Sequence, residues 1–495
     1  MMANLRNNEQ EYNMSSKKNV IIITTDQHRF DCIAVNGNRV VQTPNIDRLA
    51  TMGVSFENNY CSAPVCSPAR ASILTGRHAR SHGLFALGYR MPDDQIPKTL
   101  PVLFEAEGYD TGIMGKVHLE ALEAKEAEHL DYTQPYFGFR KFHVTEDDPR
   151  GEYLEWIRTE HPKYYDDAVS NVSRSFAPAP YVHADGSSPL DELYVSPLPE
   201  ELHQTPWITQ KALDFIDEEV AQNRNFFAWF SYVDPHHPWN PPASYADLYD
   251  YRDIPLLDIK QNDPAVADYA YSYIPQMKPE DFQKMIASYY ALITFTDAYI
   301  GKILDHLEEK GLLENTLIVF TSDHGDYNAD HGLVRKCWRM YEGIIHTPLI
   351  VVDPDSPCKG TRISGYTQDI DIMPTVLDLC RIPYHGKLDG FSLAEIIRGT
   401  ASDTERQYAV TEFTMNDHPF GDNQWSVCLM QDNYKLHYYP FEDKFYLYDL
   451  KNDCEELHDL ADNSRYAPEL AKLKDTLLRW ETTTEFYMRP QKYRW

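Results

Sequence analysis

The chain has 495 residues, of which 42% are hydrophobic and 13% aromatic, so it can bury a large core and fold into two domains. Its formal net charge of -30 argues against nucleic acids and anionic membrane surfaces as partners. An anionic substrate would therefore need a local cluster of cations.

Residues 1–18 form a polar tail without the apolar stretch of a signal peptide, and no later run is long and apolar enough to predict a membrane span. The eight cysteines include no C-x-x-C pair, and without an export signal we expect them to be reduced. Structural zinc and thioredoxin-like chemistry are therefore poor interpretations. We expect a cytoplasmic protein.

Buried strands alternate with helices along most of the chain. The run "NVIIITT" at 19–25 is continuously apolar, as is typical of a strand buried on both faces of a parallel sheet. Similar runs predict further strands at 226–233, 316–321 and 347–354. Helical patterns occur at 43–53, 205–222 and 280–311. This alternation predicts an α/β fold with a large, mostly parallel sheet sandwiched by helices.

Two segments depart from this pattern. Residues 120–205 are aromatic, acidic and interrupted by prolines, which indicates a long insertion near the mouth of a site. From residue 401, short strands and a helix near 466–482 predict a smaller C-terminal antiparallel sheet plus one helix. We therefore expect a tail at 1–18, a large α/β domain at 19–400 that carries the chemistry, and a subdomain at 401–495.

Carboxylates and imidazoles follow three of the predicted strands. These residues are Asp26, Gln27 and His28; Asp234, His236 and His237; and Asp323, His324 and Asp326. Because ligands bind beyond the carboxyl ends of parallel strands, we expect one shared site there. A strand-end Asp can also simply cap a helix, but that explains three strands together poorly. Asp26, Gln27, Asp323 and His324 offer oxygen and nitrogen ligands, which suit Ca²⁺, Mg²⁺ or Mn²⁺ better than structural zinc.

Cationic side chains adjoin turns and strand ends as well. They are Arg70, Lys116, His118, His236 and Lys336. Such a set could hold a tetrahedral anion and donate a proton to a leaving group. A phosphate-binding G-x-x-x-x-G-K-[ST] loop is excluded at Lys116, because Asp110 takes the first Gly position and Val117 the last.

Cys66 lies between two prolines in "PVCSPARASILTG" at 64–76, where a helical pattern begins. Taken alone, its thiol could be structural, a nucleophile, a ligand or the precursor of another group. The stretch matches, position by position, the C-x-P-x-R signature of the type I, formylglycine-dependent sulfatases of the alkaline phosphatase superfamily. "GYDTGIMGK" at 108–116 resembles their second signature, departing from it at Met114. The resemblance covers about residues 19–480.

This resemblance implies that a maturation enzyme acts on the unfolded chain and oxidises Cys66 to formylglycine, whose hydrate supplies the nucleophile. It also implies one divalent metal, with Ca²⁺ favoured over Mg²⁺ and Mn²⁺. The implied metal ligands are Asp26, Gln27, Asp323, His324 and modified Cys66. The implied catalytic residues are Arg70, which orients the formylglycine; Lys116, on a sulfate oxygen; His118, a base; and His236 and Lys336, on the bridging oxygen.

The expected activity is hydrolysis of a small aryl or sugar sulfate monoester. A glutamine at the position of Gln27 is common in phosphonate and phosphodiester hydrolases of the same superfamily, so hydrolysis of phosphonate monoesters or phosphodiesters is the alternative. A third hypothesis, an anion-binding protein with unmodified Cys66, has no use for the complete cysteine signature. No nucleic acid or membrane partner is expected, and a homo-oligomer is compatible with the sequence.

Overall fold

The computed structural model describes residues 17–120, 133–147, 149–170, 192–255, 277–336, 339–415, 424–440 and 443–487, which form one eight-stranded and one four-stranded sheet with helices around them. The strands are β1 (Asn19–Thr25), β2 (Val54–Tyr60), β3 (Asp110–Gly115), β4 (Lys141–Val144), β5 (Phe226–Ser231), β6 (Thr316–Ser322), β7 (Leu349–Val352), β8 (Thr361–Gln368), β9 (Ala409–Met415), β10 (Gln424–Gln431), β11 (Tyr434–Tyr439) and β12 (Lys444–Asp449).

The helices range from single turns to the 31 residues of Pro279–Glu309. They are α1 (Pro44–Met52), α2 (Cys66–Thr75), α3 (Ala79–His82), α4 (Leu100–Ala106), α5 (Gly151–Glu160), α6 (Tyr165–Ser170), α7 (Gln204–Ala221), α8 (Ala243–Ala246), α9 (Pro279–Glu309), α10 (Glu342–Ile345), α11 (Ile372–Leu379), α12 (Ala394–Ile397) and α13 (Ala467–Thr483). Within the described ranges, none of these helices is long and apolar enough to cross a membrane.

The large sheet has the order β4-β3-β5-β1-β6-β7-β2-β8. Its neighbouring strands pair in parallel except where β7 runs antiparallel to β6 and β2. Side chains of β1 alternate between two cores: Val20 and Ile22 face one, Ile21 and Ile23 the other. Helices α2, α4 and α11 contribute to the first core, and α1, α7 and α9 to the second. The predicted α/β sandwich is confirmed.

The segment at 120–205 differs from its prediction in one respect. Within its described part, β4 pairs in parallel with β3, joining Gly112 to Lys141 and Gly115 to Val144, and so forms an edge of the large sheet. Residues 141–144 are therefore part of the sheet and not of an insertion. Their four-residue length hid them, because a strand that short has little hydrophobic periodicity.

The second sheet is antiparallel with the order β12-β11-β10-β9, and α13 packs on it. Leu473, Leu477 and Trp480 of this helix share a core with Leu429 and Leu436 of the strands. The predicted smaller sheet with one helix is thereby confirmed. The boundary at 401 stays a prediction.

Candidate active site

The carboxyl ends of β1 and β6 bring four predicted metal ligands together. Thr25 pairs with Ser322, so Asp26 and Asp323 leave the sheet side by side, and both are fully buried. Ligand atoms of Asp26, Asp323, His324 and Cys66 all lie within 4.8 Å of one another. Gln27 follows in a left-handed turn, with φ 64°, and its amide oxygen accepts a hydrogen bond of 3.2 Å from Lys336 Nζ.

Cys66 is the first residue of α2, and its side chain is fully buried at this cluster. Its sulfur lies 3.2 Å from His324 Nε2 and 3.8 Å from Asp26 Oδ1. The Lys336 ammonium donates to the sulfur at 2.9 Å, and the Lys116 ammonium lies 3.6 Å away. The helix start therefore presents Cys66 to both the carboxylates and the cations.

Arg70 lies one helical turn after Cys66 and so points to the same side of α2. Its Nε donates to Asp323 at 2.9 Å and its Nη2 to Asp26 at 3.0 Å. Its Nη1 donates to the Lys116 carbonyl at 2.9 Å and to the Ser231 hydroxyl at 2.7 Å. With no exposed surface, the guanidinium locks the two carboxylates in place.

Lys116 and His118 follow β3 through a turn that requires glycine. Gly115 has φ 108°, and a Cβ there would meet the Ser231 carbonyl oxygen at 1.9 Å. Lys116 Nζ lies 2.7 Å from Asp26 Oδ2 and 3.2 Å from Asp147 Oδ2. The His118 backbone N–H donates to the Glu146 carboxylate at 3.1 Å.

His236 and Lys336 lie next to each other in the cluster. His236 Nε2 lies 3.4 Å from Lys336 Nζ, and its Nδ1 lies 2.6 Å from the His237 carbonyl oxygen. That carbonyl can only accept, so Nδ1 carries the proton toward it. His237 stacks on His236 with ring centroids 4.0 Å apart, and its Nδ1 lies 3.3 Å from Gln27 Nε2. His237 therefore supports both groups, as expected of a neighbouring structural histidine.

The surrounding cations change the protonation of Cys66. Burial by itself would raise the pKa of the thiol, but the ammonium groups of Lys116 and Lys336 outweigh it and hold that pKa well below its usual range. Burial would likewise lower the pKa of Lys116, whereas the carboxylates of Asp147 and Asp26 raise it well above its usual value. The cluster therefore favours an anion at position 66 among fixed positive charges.

The structure brings all ten predicted site residues into one cluster, in which His118 and Lys336 are half-buried and the other eight are buried, and it adds others that sequence reasoning missed. Asp147 contacts Lys116, and the Tyr289 hydroxyl donates to the Gln27 carbonyl at 2.6 Å. Asp326, which the sequence did place at this edge of the sheet, accepts a hydrogen bond from Gln27 Nε2. Asp147 carries the same signal as Asp26, a carboxylate just beyond a parallel strand. That signal was invisible because β4 had not been predicted.

The comparisons with known proteins agree with this geometry. Residues 18–382 match the sulfatase family model, and residues 329–483 match the model of the N-sulphoglucosamine sulphohydrolase C-terminal region. An arylsulfatase of Clostridium perfringens is 30% identical over 94% of each chain. The multifunctional alkaline phosphatase superfamily protein PehA of Trinickia caryophylli is 28% identical over 96% of this chain and 98% of its own. A phosphonate monoester hydrolase from Silicibacter pomeroyi has a similar structure, with a TM-score of 0.79 and 27% identity over 95% of this chain and 96% of its own.

Proposed function

The chain belongs to the sulfatase family of sulfuric ester hydrolases, in the alkaline phosphatase superfamily, and we propose that it hydrolyses sulfate monoesters through a formylglycine made from Cys66. The observation that carries this proposal is the position of Cys66. Its sulfur lies at the start of a helix, 2.9 Å from Lys336 Nζ and 3.2 Å from His324 Nε2. A reactive group at that position would therefore contact both the Lys336 ammonium and the His324 imidazole.

The donor set fits a divalent cation. Asp26 and Asp323 supply carboxylates, His324 a ring nitrogen and Gln27 an amide oxygen, all fully buried. The Lys336 ammonium contacts Gln27 Oε1 at 3.2 Å and His324 Nε2 at 3.1 Å, so these two ligand atoms already face a positive charge. We propose one metal held by these residues and position 66, with Ca²⁺ favoured by the oxygen-rich set. Such a cation would supply Lewis-acid polarisation of a sulfate oxygen.

The surroundings of Cys66 also fit the formylglycine. The hydrate of that aldehyde would supply one hydroxyl to attack sulfur and a second to expel sulfate. Position 66 lies near Arg70 and Lys116, which carboxylates hold in place without a thiolate partner. Arg70 fixes Asp26 and Asp323. Lys116 is anchored by Asp26.

The remaining steps fall to the chain's own side chains. Lys116 Nζ, buried and charged, would neutralise a sulfate oxygen. His236 and Lys336, whose nitrogens lie 3.4 Å apart, would hold the bridging oxygen and give it a proton as the S–O bond breaks. His118 would take the proton of the second hydroxyl. These groups, with Arg70, would surround the bound anion with positive charge.

Hydrolysis of phosphonate monoesters or phosphodiesters is the second candidate function. Two observations favour it: Gln27 carries no charge, and the similarity includes a phosphonate monoester hydrolase structure and a multifunctional relative. Such esters carry one negative charge, as sulfate monoesters do. The two candidates therefore differ in the reacting atom and not in the charge that the site must neutralise.

Two measurements on one purified preparation test the proposal. Mass spectrometry of the peptide that contains position 66 reports whether the thiol has become the aldehyde. Values of kcat/KM for para-nitrophenyl sulfate and a matched aryl phosphonate monoester then compare the candidates. Turnover of the sulfate by protein with an intact Cys66 thiol would contradict the proposed nucleophile.

A further inference from the structure

Asp147 lies against two of the groups proposed to hold the substrate. Its Oδ2 is 3.2 Å from Lys116 Nζ and 3.5 Å from His236 Nε2. The pairing of Val144 with Gly115, and the hydrogen bond from Thr145 N–H to the Gly115 carbonyl, fix this loop to the strand that carries Lys116. The Asp147 side chain is 27% exposed whereas that of Lys116 is fully buried, so Asp147 lies on the more exposed side of the cluster.

Asp147 is the second counter-ion of Lys116 and not the nearest one. Asp26 Oδ2 is closer, at 2.7 Å, and is fully buried. A second carboxylate therefore weakens the positive potential at the place where an anionic substrate would bind, and so it lowers the affinity for anions. This loss of affinity depends on the ligand, because the repulsion grows with the charge of the anion that binds.

The substrate and the product differ in that charge. A sulfate monoester carries one negative charge, whereas the sulfate that is released carries two. We propose that Asp147 is a specificity-determining residue that disfavours doubly charged anions in the site, so that sulfate is expelled while the singly charged ester is accepted. This proposal rests on the proposed function.

The location of Asp147 supports this role. With His236 it lines a small cavity that also includes His203, Asp234 and Asn240. This cavity adjoins the proposed proton donors of the leaving group. A fixed negative charge beside this cavity acts on a departing dianion more than on a neutral alcohol.

The test compares wild type with Asp147→Asn, which keeps the side-chain shape and removes the charge. Calorimetry at constant ionic strength measures binding of sulfate and of methanesulfonate, a singly charged tetrahedral anion. The ratio of sulfate affinity to methanesulfonate affinity should rise about tenfold in Asp147→Asn, which equals about 1.4 kcal/mol. Inhibition by sulfate should strengthen by a larger factor than the KM of an aryl sulfate falls, because the sulfate carries twice the charge of the ester.

Matched variants separate charge from structure. Asp147→Glu should keep the wild-type ratio, and so should Asp166→Asn, which removes an exposed carboxylate from α6. If Asp147→Asn is unstable, Asp147→Ser provides the same comparison. A ratio that stays unchanged in a folded neutral variant overturns the proposal, as does an equal change for both anions. If wild type binds both anions but hydrolyses no sulfate ester, the proposed function fails while the binding ratio still reports on Asp147.

Discussion

Lys336 Nζ lies 2.9 Å from Cys66 Sγ, although the two residues are 270 positions apart. Cys66 begins α2, whereas Lys336 lies in the loop that follows β6. The same ammonium lies 3.1 Å from His324 Nε2 and 3.4 Å from His236 Nε2. One cation thus contacts the proposed nucleophile, a proposed metal ligand and a proposed proton donor, so the effects of changing these groups should be coupled.

The first prediction concerns Cys66. Cys66→Ala should lower kcat by on the order of 10⁴-fold or more, because it removes the precursor of the nucleophile. Cys61→Ala is the matched control, since Cys61 is also buried, and its sulfur is 3.8 Å from the Ile344 carbonyl oxygen. Circular dichroism should show both variants folded. Near-normal turnover by Cys66→Ala would contradict the mechanism.

The second prediction concerns the metal. Chelation should abolish activity and lower the thermal midpoint, because the buried Asp26 and Asp323 lose a counter-charge. Asp323→Asn should lower both the metal content of the purified protein and kcat. Asp353→Asn is the control, since Asp353 is a buried carboxylate that binds Lys18 after β7. Equal metal content in wild type and Asp323→Asn would show that the ligand assignment is wrong.

The third prediction concerns the leaving group. His236→Asn should lower kcat/KM more for sulfate esters of weakly acidic alcohols than for those of acidic phenols, because only the former need a proton on the departing oxygen. The measurement is the slope of log(kcat/KM) against leaving-group pKa for a series of esters. That slope should steepen in His236→Asn. An unchanged slope with uniformly lower rates would mean that His236 binds substrate without donating a proton.

Much of the fold was predictable because of where its strands lie. Strands β1, β5 and β6 are central and buried, so continuous apolar runs identify them. Strands β2 and β8 lie at one edge and carry polar, partly exposed residues, which resemble loop sequence. In β3, Gly112 and Gly115 weaken the strand signal, yet a Cβ at Gly112 would meet the Phe215 ring at 2.6 Å. Close packing against Phe215 therefore requires a glycine at position 112, although glycine is unfavourable in a strand.

The candidate site follows the same division. Asp26 and Asp323 could be predicted as neighbours because β1 and β6 were recognisable and parallel. Cys66 and Arg70 could be grouped because their spacing is one helical turn. Asp147 could not be found, since its place depends on the pairing of a four-residue strand with β3. Contacts that depend on tertiary pairing leave no periodic signal in the sequence.

The fourth prediction concerns acid stability at a buried ion pair. Lys435 is fully buried, with its ammonium 3.2 Å from Glu342 and 2.7 Å from Glu456. Burial would raise the pKa of Glu342, but Lys435 and His346 lower it to about 2 from a usual 4.5. Because the folded pKa is depressed, the stabilisation is fully present above about pH 4.5 and lost as pH falls toward about 2.

Glu342→Gln should therefore lower the free energy of unfolding at neutral pH by about 2 kcal/mol, which is measured as a lower thermal midpoint. The loss is limited to this size because Glu456 still pairs with Lys435. The difference between wild type and Glu342→Gln should shrink as the pH is lowered. Glu314→Gln, at an exposed carboxylate, should show no such trend. A difference that stays constant with pH would assign the effect of Glu342 to packing instead of charge.

The last prediction is the order of substrates. The site pairs Arg70, Lys116, Lys336 and the proposed divalent cation with the carboxylates of Asp26 and Asp323, and Asp147 adds a further negative charge beside Lys116. The Asp147 carboxylate repels a doubly charged group more than a singly charged one, so phosphate monoesters, which carry nearly two charges at neutral pH, should be the poorest substrates. Charge alone does not separate sulfate monoesters from phosphonate monoesters.

The leaving step separates those two. A formylglycine hydrate would expel sulfate by breaking its own C–O bond. Cys66 lies in a complete C-S-P-A-R sequence, which matches the signature for conversion of the cysteine to formylglycine. We therefore expect kcat/KM to be highest for the aryl sulfate, lower for the matched phosphonate monoester and lowest for the phosphate monoester. The three values should be measured at two salt concentrations, because screening reduces any contribution from the net charge of -30. A phosphonate that exceeds the sulfate by more than about tenfold, about 1.4 kcal/mol of transition-state preference, would replace sulfate ester hydrolysis with the second candidate function.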